Sequence, residues 1–229
     1  MKKQEKLVKL LLEKGIIKFR SEGPVEENPK IKSPMYTNFS RIPKEHQICS
    51  LITEILTEKI DQKVNERGLM FDFVVGTSVA GIQVGKLVSG EYGKSFTRIK
   101  SGQTYLGNSG DNNFMHIPHD VTDKKALIIE DLVYANGSML KEADLIRRLG
   151  ADVVMGASIL TYNTLDNQEK NATEKKIPLV HALSIDEVLI ICIEKEIIKP
   201  NDFEILKKFF IDPRSWYNKN FPKTVTGSN

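Results

Sequence analysis

The segment from Ala126 to Leu140 constrains the fold more than any other, because a buried strand, an acidic pair, a turn and a helix start follow one another. Four consecutive apolar residues, Ala126 to Ile129, predict a strand that is buried on both faces of a parallel sheet. Ligands of such sheets bind at the carboxyl ends of the strands. Glu130 and Asp131, which follow directly, are therefore predicted to lie where a ligand binds.

The residues after this strand predict a site for a phosphorylated sugar. Two adjacent carboxylates repel each other unless a positive or hydroxyl-rich group lies nearby, and sugar hydroxyls or a divalent metal would relieve that repulsion. The turn at 134–138 can surround an anion with backbone N–H groups, and the helix that begins near Ser138 points its positive end at the same place. Together these features describe a ribose 5-phosphate site. The plainer alternative is an ordinary βα turn in which Asp131 caps the helix.

Strands and helices alternate along the chain, which predicts an α/β fold with a doubly wound, mainly parallel sheet and a small N-terminal hood. The predicted strands are at 72–75, 95–100, 126–129, 153–162 and 179–183, and the predicted helices are at 44–60, 79–89, 138–149 and 185–198. Ser184 and Glu187 have the spacing of a capping box, which predicts where the last of these helices begins.

The length of 229 residues allows one sizeable core. We predict a single domain over 1–229, with a hood at 1–43, an α/β core at 70–200 and a C-terminal helix and tail at 201–229. The balance of 33 basic against 30 acidic residues gives a net charge of only +3, which indicates no nucleic-acid partner.

Two further features indicate a protein of the cytoplasm that binds no membrane, and a third argues against a metal site. The apolar run at 7–12 is short and interrupted by Lys9, which argues against a signal or spanning segment. Cys49 and Cys192 lie in apolar helical patterns and are expected to fill core space in a reducing compartment. His116 and His119 flank a proline that breaks the helix needed to align them, so a metal site there is not expected.

Two other segments predict contacts with anions. A small-residue turn, Gly76 to Gly81, opens a helix, and its amides can receive a second anion, although tight packing alone also explains its glycines. Arg98 and Lys100 occupy alternate positions at a strand end, so both project to one face, where they can clamp pyrophosphate. A solvated strand edge is the alternative for this basic pair.

The segment at 126–140 resembles the phosphoribosyl pyrophosphate (PRPP) binding motif of type I phosphoribosyltransferases, and the branch it is most similar to is orotate phosphoribosyltransferase. Further matches follow in the family's order along nearly the whole chain, at 32–38, 76–82, 96–100, 160–163 and 212–216. The resemblance implies that Glu130 and Asp131 hold the ribose hydroxyls. It implies contacts to the phosphates of PRPP from Thr77, Ser78, Ala80, Arg98, Lys100, Tyr134, Ala135, Asn136, Gly137 and Ser138.

The same resemblance implies an enzyme that transfers phosphoribosyl from PRPP to orotate, giving orotidine 5-phosphate and pyrophosphate in pyrimidine biosynthesis. Its catalytic residues would be Glu130, Asp131, Arg98 and Lys100. The base would contact Met35, Tyr36 and Tyr134. Magnesium would be carried by the pyrophosphate of PRPP, with no metal ligand assigned to the protein, and the family works as a homodimer.

Two loops depart from the family pattern. Where the family carries a lysine and a His–Gly pair after Arg-x-Lys, this chain has Gly102, Thr104 and Tyr105. In the phosphate loop Tyr134 replaces a small hydroxyl residue, while Asn136 replaces a glycine and can still adopt a left-handed backbone. Two alternatives therefore stay open: a catalytically degenerate member that binds a nucleotide or phosphoribosyl ligand, and a transferase for another base.

Overall fold

The computed structural model describes residues 2–19, 25–28, 31–99, 120–133, 138–162, 177–212 and 216. Its core is a five-stranded sheet in which every neighbouring pair of strands is parallel. In the order in which they lie side by side, the strands are β6 (Ser95–Arg98), β5 (Phe73–Gly76), β7 (Lys125–Val133), β8 (Asp152–Thr161) and β9 (Leu179–Ser184). The predicted α/β fold with a parallel sheet is confirmed.

Helices cover both faces of this sheet, and the alternation of side chains along β7 explains how. Leu127 and Ile129 pack in the larger apolar cluster with α2 (His46–Arg67) and α3 (Val79–Glu91). Ala126 and Ile128 point to the opposite face and pack with α4 (Ser138–Arg148). A strand between two helical layers must be apolar on both faces, as the run at 126–129 predicted. The doubly wound arrangement is thus confirmed.

The N-terminal segments form two small antiparallel pairs outside this sheet. They follow α1 (Lys3–Glu13) and consist of β1 (Ile17–Phe19) with β4 (Met35–Thr37), and β2 (Val25–Asn28) with β3 (Ile31–Ser33). A 3-10 helix, Phe39–Lys44, leads into α2, and two helices follow β9: α5 (Ile185–Glu194) and α6 (Pro200–Ile211). The division of the chain into hood, core and tail stays a prediction.

The expected capping box sets the start of α5. The Ser184 hydroxyl accepts a hydrogen bond from the Glu187 N–H at 3.1 Å, and the Glu187 carboxylate accepts one from the Ser184 N–H at 2.7 Å. The helix predicted at 44–60 is longer than expected, because α2 continues to Arg67. It ends at Gly68, whose φ of 61° is a left-handed conformation that glycine adopts without a steric penalty.

The strand that carries the acidic pair is also longer than predicted. Its residues up to Val133 stay in β7 because β8 continues beside them, with Glu130 opposite Ser158. On the other side β7 loses its partner earlier, since β5 ends at Gly76, opposite Ile129. The acidic pair therefore lies inside a strand, yet beyond the end of the neighbouring strand β5.

Candidate active site

The candidate site lies at the carboxyl ends of β5 and β7, where the strand order changes direction. Beyond β5 the sheet continues with β6, and beyond β7 it continues with β8 and β9. The connection after β5 leads to α3 on one face of the sheet, while the connection after β7 leads to α4 on the other. The two helix N-termini therefore flank one crevice, which is the usual place for ligands of open α/β sheets.

The turn between β5 and α3 is held by hydrogen bonds to β7. The backbone N–H of Thr77 donates to the carbonyl oxygen of Ile129 at 2.9 Å, and the Thr77 side chain is fully buried. Ser78 has φ 57° and ψ 170°, a strained conformation for a residue other than glycine. Its hydroxyl caps α3 by accepting a hydrogen bond from the Gly81 N–H at 3.1 Å. The turn therefore holds the N-terminus of α3 at the edge of the crevice.

Glycines bring this helix start against β7. A Cβ atom on Gly81 would lie 2.6 Å from the carbonyl oxygen of Ile129 and 3.0 Å from the Cα atom of Glu130. A Cβ atom on Gly76 would lie 2.7 Å from the Cα atom of Ile82. Packing alone thus explains both glycines, and any role of this turn in binding an anion must rest on its N–H groups. Ala80 is fully buried and could contribute only its backbone.

Asp131 lies on the α3 face of β7, beside the turn. The Ser78 hydroxyl forms a hydrogen bond with its carboxylate, as does the backbone of Leu132. Burial raises the pKa of Asp131 above its ordinary value, and these hydrogen bonds offset part of that effect. Asp131 is thus a partly buried acid whose charged form is hydrogen-bonded by its neighbours.

Glu130 lies on the other face of β7, and a second buried glutamate approaches it there. Glu130 and Glu142 of α4 are each only 6 % exposed. Burial, followed by the charge of Glu130, raises the pKa of Glu142 to about 8, and Asp131 adds a smaller effect in the same direction. The nearby Thr77 hydroxyl opposes this rise in pKa, but its hydrogen bond goes to the carbonyl oxygen of Ile129 at 3.3 Å and not to Glu142.

Sequence reasoning missed Glu142, although a signal was present. Met139, Ala143 and Ile146 of α4 are all buried in the cluster under the sheet, and Glu142 falls on the same stripe at helical spacing. A charged residue on an apolar stripe of the helix that follows the acidic pair was the observation that could have singled it out.

The phosphate loop is described only at its borders. The strand before it ends at Val133, and α4 begins at Ser138, so the helix N-terminus lies at the carboxyl end of β7 as the sequence predicted. Tyr134, Ala135, Asn136 and Gly137 lie outside the described residues, as does the side chain of Ser138. The same applies to Lys100, to the loop with Gly102, Thr104 and Tyr105, and to His116 and His119.

Arg98 lies at the same edge of the sheet as the turn after β5. It ends β6, is paired in register with Gly76, and is exposed, whereas its neighbours Thr97 and Ile99 are buried. The Ile99 N–H donates to the carbonyl oxygen of Gly76 at 3.0 Å and keeps the chain beside β5. The backbone of Arg98 is thus held beside the end of β5, from which the chain enters α3.

Two of the three predicted base-contacting residues, Met35 and Tyr36, lie on β4, and the third, Tyr134, lies outside the described residues. Met35 is fully buried in the larger apolar cluster, and Tyr36 is half-buried. The next residue, Thr37, has its hydroxyl 3.3 Å from the hydroxyl of Tyr162, and the Tyr162 N–H donates to the carbonyl oxygen of Val133 at 2.9 Å. These hydrogen bonds tie β4 to the end of β7 that carries the acidic pair.

Two other findings concern metals and membranes. Among the residues that the structure describes, no three histidines, cysteines, aspartates or glutamates are grouped so that they could hold a metal ion. Within that same part of the chain, no helix is both long enough and apolar enough to cross a bilayer.

Comparisons with known proteins agree with this architecture. No protein-family model matches the chain. It is 28 % identical over 206 residues to an orotate phosphoribosyltransferase of Streptococcus sanguinis, covering 90 % of this chain and 94 % of that protein. The solved structure of Leishmania donovani UMP synthase matches with a TM-score of 0.68 and 17 % identity, over 90 % of this chain and 42 % of that one.

A third protein matches at nearly full length. The orotate phosphoribosyltransferase of Francisella tularensis superposes with a TM-score of 0.60 and 15 % identity, over 89 % of this chain and 96 % of that structure. At such identities the solved structures show the fold alone, while the sequence match adds a similarity to an orotate phosphoribosyltransferase over nine-tenths of the chain. The chain has the fold of the type I phosphoribosyltransferases, and its sequence relatives are orotate phosphoribosyltransferases.

Proposed function

We propose that this protein is a phosphoribosyltransferase that transfers the phosphoribosyl group of PRPP to orotate, giving orotidine 5-phosphate and pyrophosphate in pyrimidine biosynthesis. The observation that carries the proposal is the acidic pair at the point where the strand order reverses, between the N-termini of α3 and α4. The similarity to orotate phosphoribosyltransferases over nine-tenths of the chain supports the choice of reaction.

Each side of the site has its own task in this proposal. Glu130 and Asp131 accept hydrogen bonds from the ribose hydroxyls, and the loop at 134–138 with the N-terminus of α4 receives the 5-phosphate. The N–H groups at 78–80, together with Arg98 and Lys100, hold the pyrophosphate, since the Thr77 N–H is already bonded to the carbonyl oxygen of Ile129. As the bond to the anomeric carbon breaks, positive charge grows on the ribose near the two carboxylates, and negative charge grows on the pyrophosphate near the cations.

Magnesium enters this proposal with the substrate. Its ligands would be mainly the oxygens of the pyrophosphate and water, as is usual for this ion, and it would neutralise charge on the leaving group. Met35, Tyr36 and Tyr134 would border the base, with β4 tied to the site through Thr37 and Tyr162.

The proposal extends to the setting in which the protein works. We expect a homodimer in the cytoplasm, as the family resemblance implies, with PRPP and a nucleobase as its small-molecule partners. A balance of 33 basic against 30 acidic residues offers no electrostatic reason to expect nucleic acid.

The divergent loop favours a second candidate function. Gly102, Thr104 and Tyr105 stand where the family has its catalytic lysine, histidine and glycine. A charged contact to the transition state is worth about tenfold to a thousandfold in rate, so a chain without them can bind PRPP and turn over slowly. A transferase for another base is the third reading, because Tyr134 changes the border of the pocket.

One assay separates these functions. Release of pyrophosphate is measured with PRPP, Mg²⁺ and a panel of purine and pyrimidine bases, and binding of PRPP alone is measured in parallel by calorimetry. Turnover with orotate at about 1–1000 per second, the ordinary enzymatic range, supports the proposal. Binding with slow turnover, raised by the double substitution Gly102→Lys with Thr104→His, supports the degenerate enzyme, and turnover with a different base supports the third reading. Absence of PRPP binding contradicts both transferase functions and leaves, of the degenerate enzyme, only a form that binds a nucleotide.

A further inference from the structure

Glu142 is a buried acid that the proposed reaction does not use. It lies one turn inside α4, in the cluster formed by Met139, Ala143 and Ile146, and is 6 % exposed. Neither oxygen of its carboxyl group has a hydrogen-bond partner within the described residues. A carboxylate buried without hydrogen bonds is strongly disfavoured, whereas the neutral acid costs far less.

The surroundings of Glu142 favour the neutral acid as well. Among the charged groups on the strands packed against α4, Glu130 and Asp131 lie near the same end of the helix as Glu142. Both repel a carboxylate there. Lys125 of β7 begins that strand at the far end, and Asp152 of β8 pairs there with Arg147. On β8 the group opposite Glu130 is Ser158, which is hydrogen-bonded to His181 of β9 at 2.7 Å.

We propose that Glu142 is a positioning residue that controls the charge of the ribose phosphate site through Glu130. As the neutral acid, it adds no charge to the negative charges of the acidic pair beneath the ligand. As the carboxylate, it adds a third negative charge, repels Glu130 and weakens the binding of an anionic sugar phosphate. The inference rests on the proposed function, because it takes PRPP as the ligand of this site.

Two measurable consequences follow from this arrangement. Affinity for PRPP falls as the pH passes through the range near 8 in which Glu142 ionises. Because coupling between two binding events is reciprocal, PRPP binding must also return a proton to Glu142 in that range. The phosphates of PRPP titrate at lower pH, near 6, so they contribute little proton exchange above pH 8.

The test uses Glu142→Gln, which keeps the shape of the side chain and cannot ionise. The matched control is Asp144→Asn, which removes one charge from an exposed position on the same helix. Binding of PRPP with Mg²⁺ is measured by calorimetry from pH 7 to pH 9 in buffers of different ionisation enthalpy, which gives affinity and proton uptake together. Carbon-13 NMR of labelled glutamate carboxyls in the wild-type protein records the ionisation of Glu142 without any ligand.

The wild-type protein and the Asp144→Asn variant are expected to bind PRPP about tenfold more weakly at pH 9 than at pH 7 and to take up protons near pH 8. For Glu142→Gln, affinity is expected to change less than about twofold, with no such uptake. An equal decline in Glu142→Gln overturns the inference and leaves the proposed function intact. A wild-type spectrum without a glutamate that titrates between pH 7 and pH 9 overturns it even if the variant does not fold. If PRPP binds none of the proteins, both the inference and the proposed function fail.

Discussion

The acids of the candidate site have contrasting surroundings on the two faces of β7. On the α3 face, Asp131 receives hydrogen bonds from the Ser78 hydroxyl and the Leu132 backbone. On the α4 face, Glu142 lies beside Glu130, and its oxygens lack partners among the residues described. Burial raises the pKa of both Asp131 and Glu142; hydrogen bonds oppose that effect at Asp131, whereas the charge of Glu130 adds to it at Glu142.

The two faces of the site therefore depend on different properties, steric fit on the α3 face and charge on the α4 face. The α3 face is defined by close steric contact, since the helix start touches β7 at Gly81 and the strained Ser78 holds the turn. The α4 face is defined by electrostatics, since its two glutamates cannot both be ionised at low cost. Changes on the first face should therefore act at every pH, and changes on the second should depend on pH.

The largest expected effect comes from breaking the contact on the α3 face. In Gly81→Ala the new Cβ atom would lie 2.6 Å from the carbonyl oxygen of Ile129, so α3 must move away from β7. We expect a loss of about 3–5 kcal/mol in the free energy of unfolding, measured by urea denaturation. The control is Gly90→Ala near the end of the same helix, where nothing lies within 4 Å. That variant should be more stable by about 0.5–1 kcal/mol. Equal effects of the two substitutions would contradict the steric account.

The next effect concerns the α4 face and depends on pH. Because the pKa of Glu142 is about 8 in the folded protein and near 4.5 when unfolded, the folded protein holds one more proton between these values. Its stability therefore falls as the pH rises from about 4.5 to about 8. Glu142→Gln lacks this titration, so it should gain stability relative to wild type over that range, by about 2–4 kcal/mol between pH 5 and pH 9.

Urea denaturation of both proteins at pH 5, 7 and 9 checks this prediction. The difference between variant and wild type should widen from pH 5 to pH 7 and level off above pH 8. A difference that stays constant with pH would mean that Glu142 ionises as an ordinary surface glutamate does.

The two faces of β7 also show which parts of the fold and of the site could be predicted from the sequence. The apolar run at 126–129 predicted a strand between two helical layers, because burial on both faces leaves a pattern that a sequence carries locally. The end of that strand could not be predicted, since Glu130 to Val133 stay extended only because β8 continues beside them. Likewise, Asp131 and Ser78 are far apart in sequence, so their hydrogen bond depends on the turn that follows β5.

Glu142 illustrates a different limit. Its position on a buried helical stripe could be read from the sequence, but its raised pKa depends on Glu130, which another element brings to the same place. The roles of the acidic pair, the basic pair and the phosphate loop stay predictions. The strand and turn pattern singled out those residues, the resemblance added their roles, and only a ligand can test them.

A smaller effect, on binding rather than folding, is expected from Asp131→Asn. Loss of the carboxylate removes charged hydrogen bonds to the ribose, so PRPP affinity should fall about 10- to 100-fold. The melting temperature should change by only a few degrees, because the amide keeps the shape and can still bond to Ser78. Calorimetric titration with PRPP and a thermal melt test the two statements, with Asp144→Asn as the charge control. Affinity equal to wild type would remove Asp131 from the site.

The smallest expected effect distinguishes the pyrophosphate side from the ribose side of the site. Arg98 is exposed at the end of β6, next to the start of α3. In Arg98→Ala, PRPP affinity should fall about tenfold, while affinity for orotidine 5-phosphate, which has no pyrophosphate, should change less than about twofold. Lys94→Ala removes an equal charge from the exposed residue just before β6, at the other end of that strand, and should affect neither ligand by more than about twofold. Calorimetry with both ligands measures the ratio. If Arg98→Ala weakened the two ligands equally, the guanidinium would act by general attraction of anions, and the division of the site into a ribose side and a pyrophosphate side would lose its support.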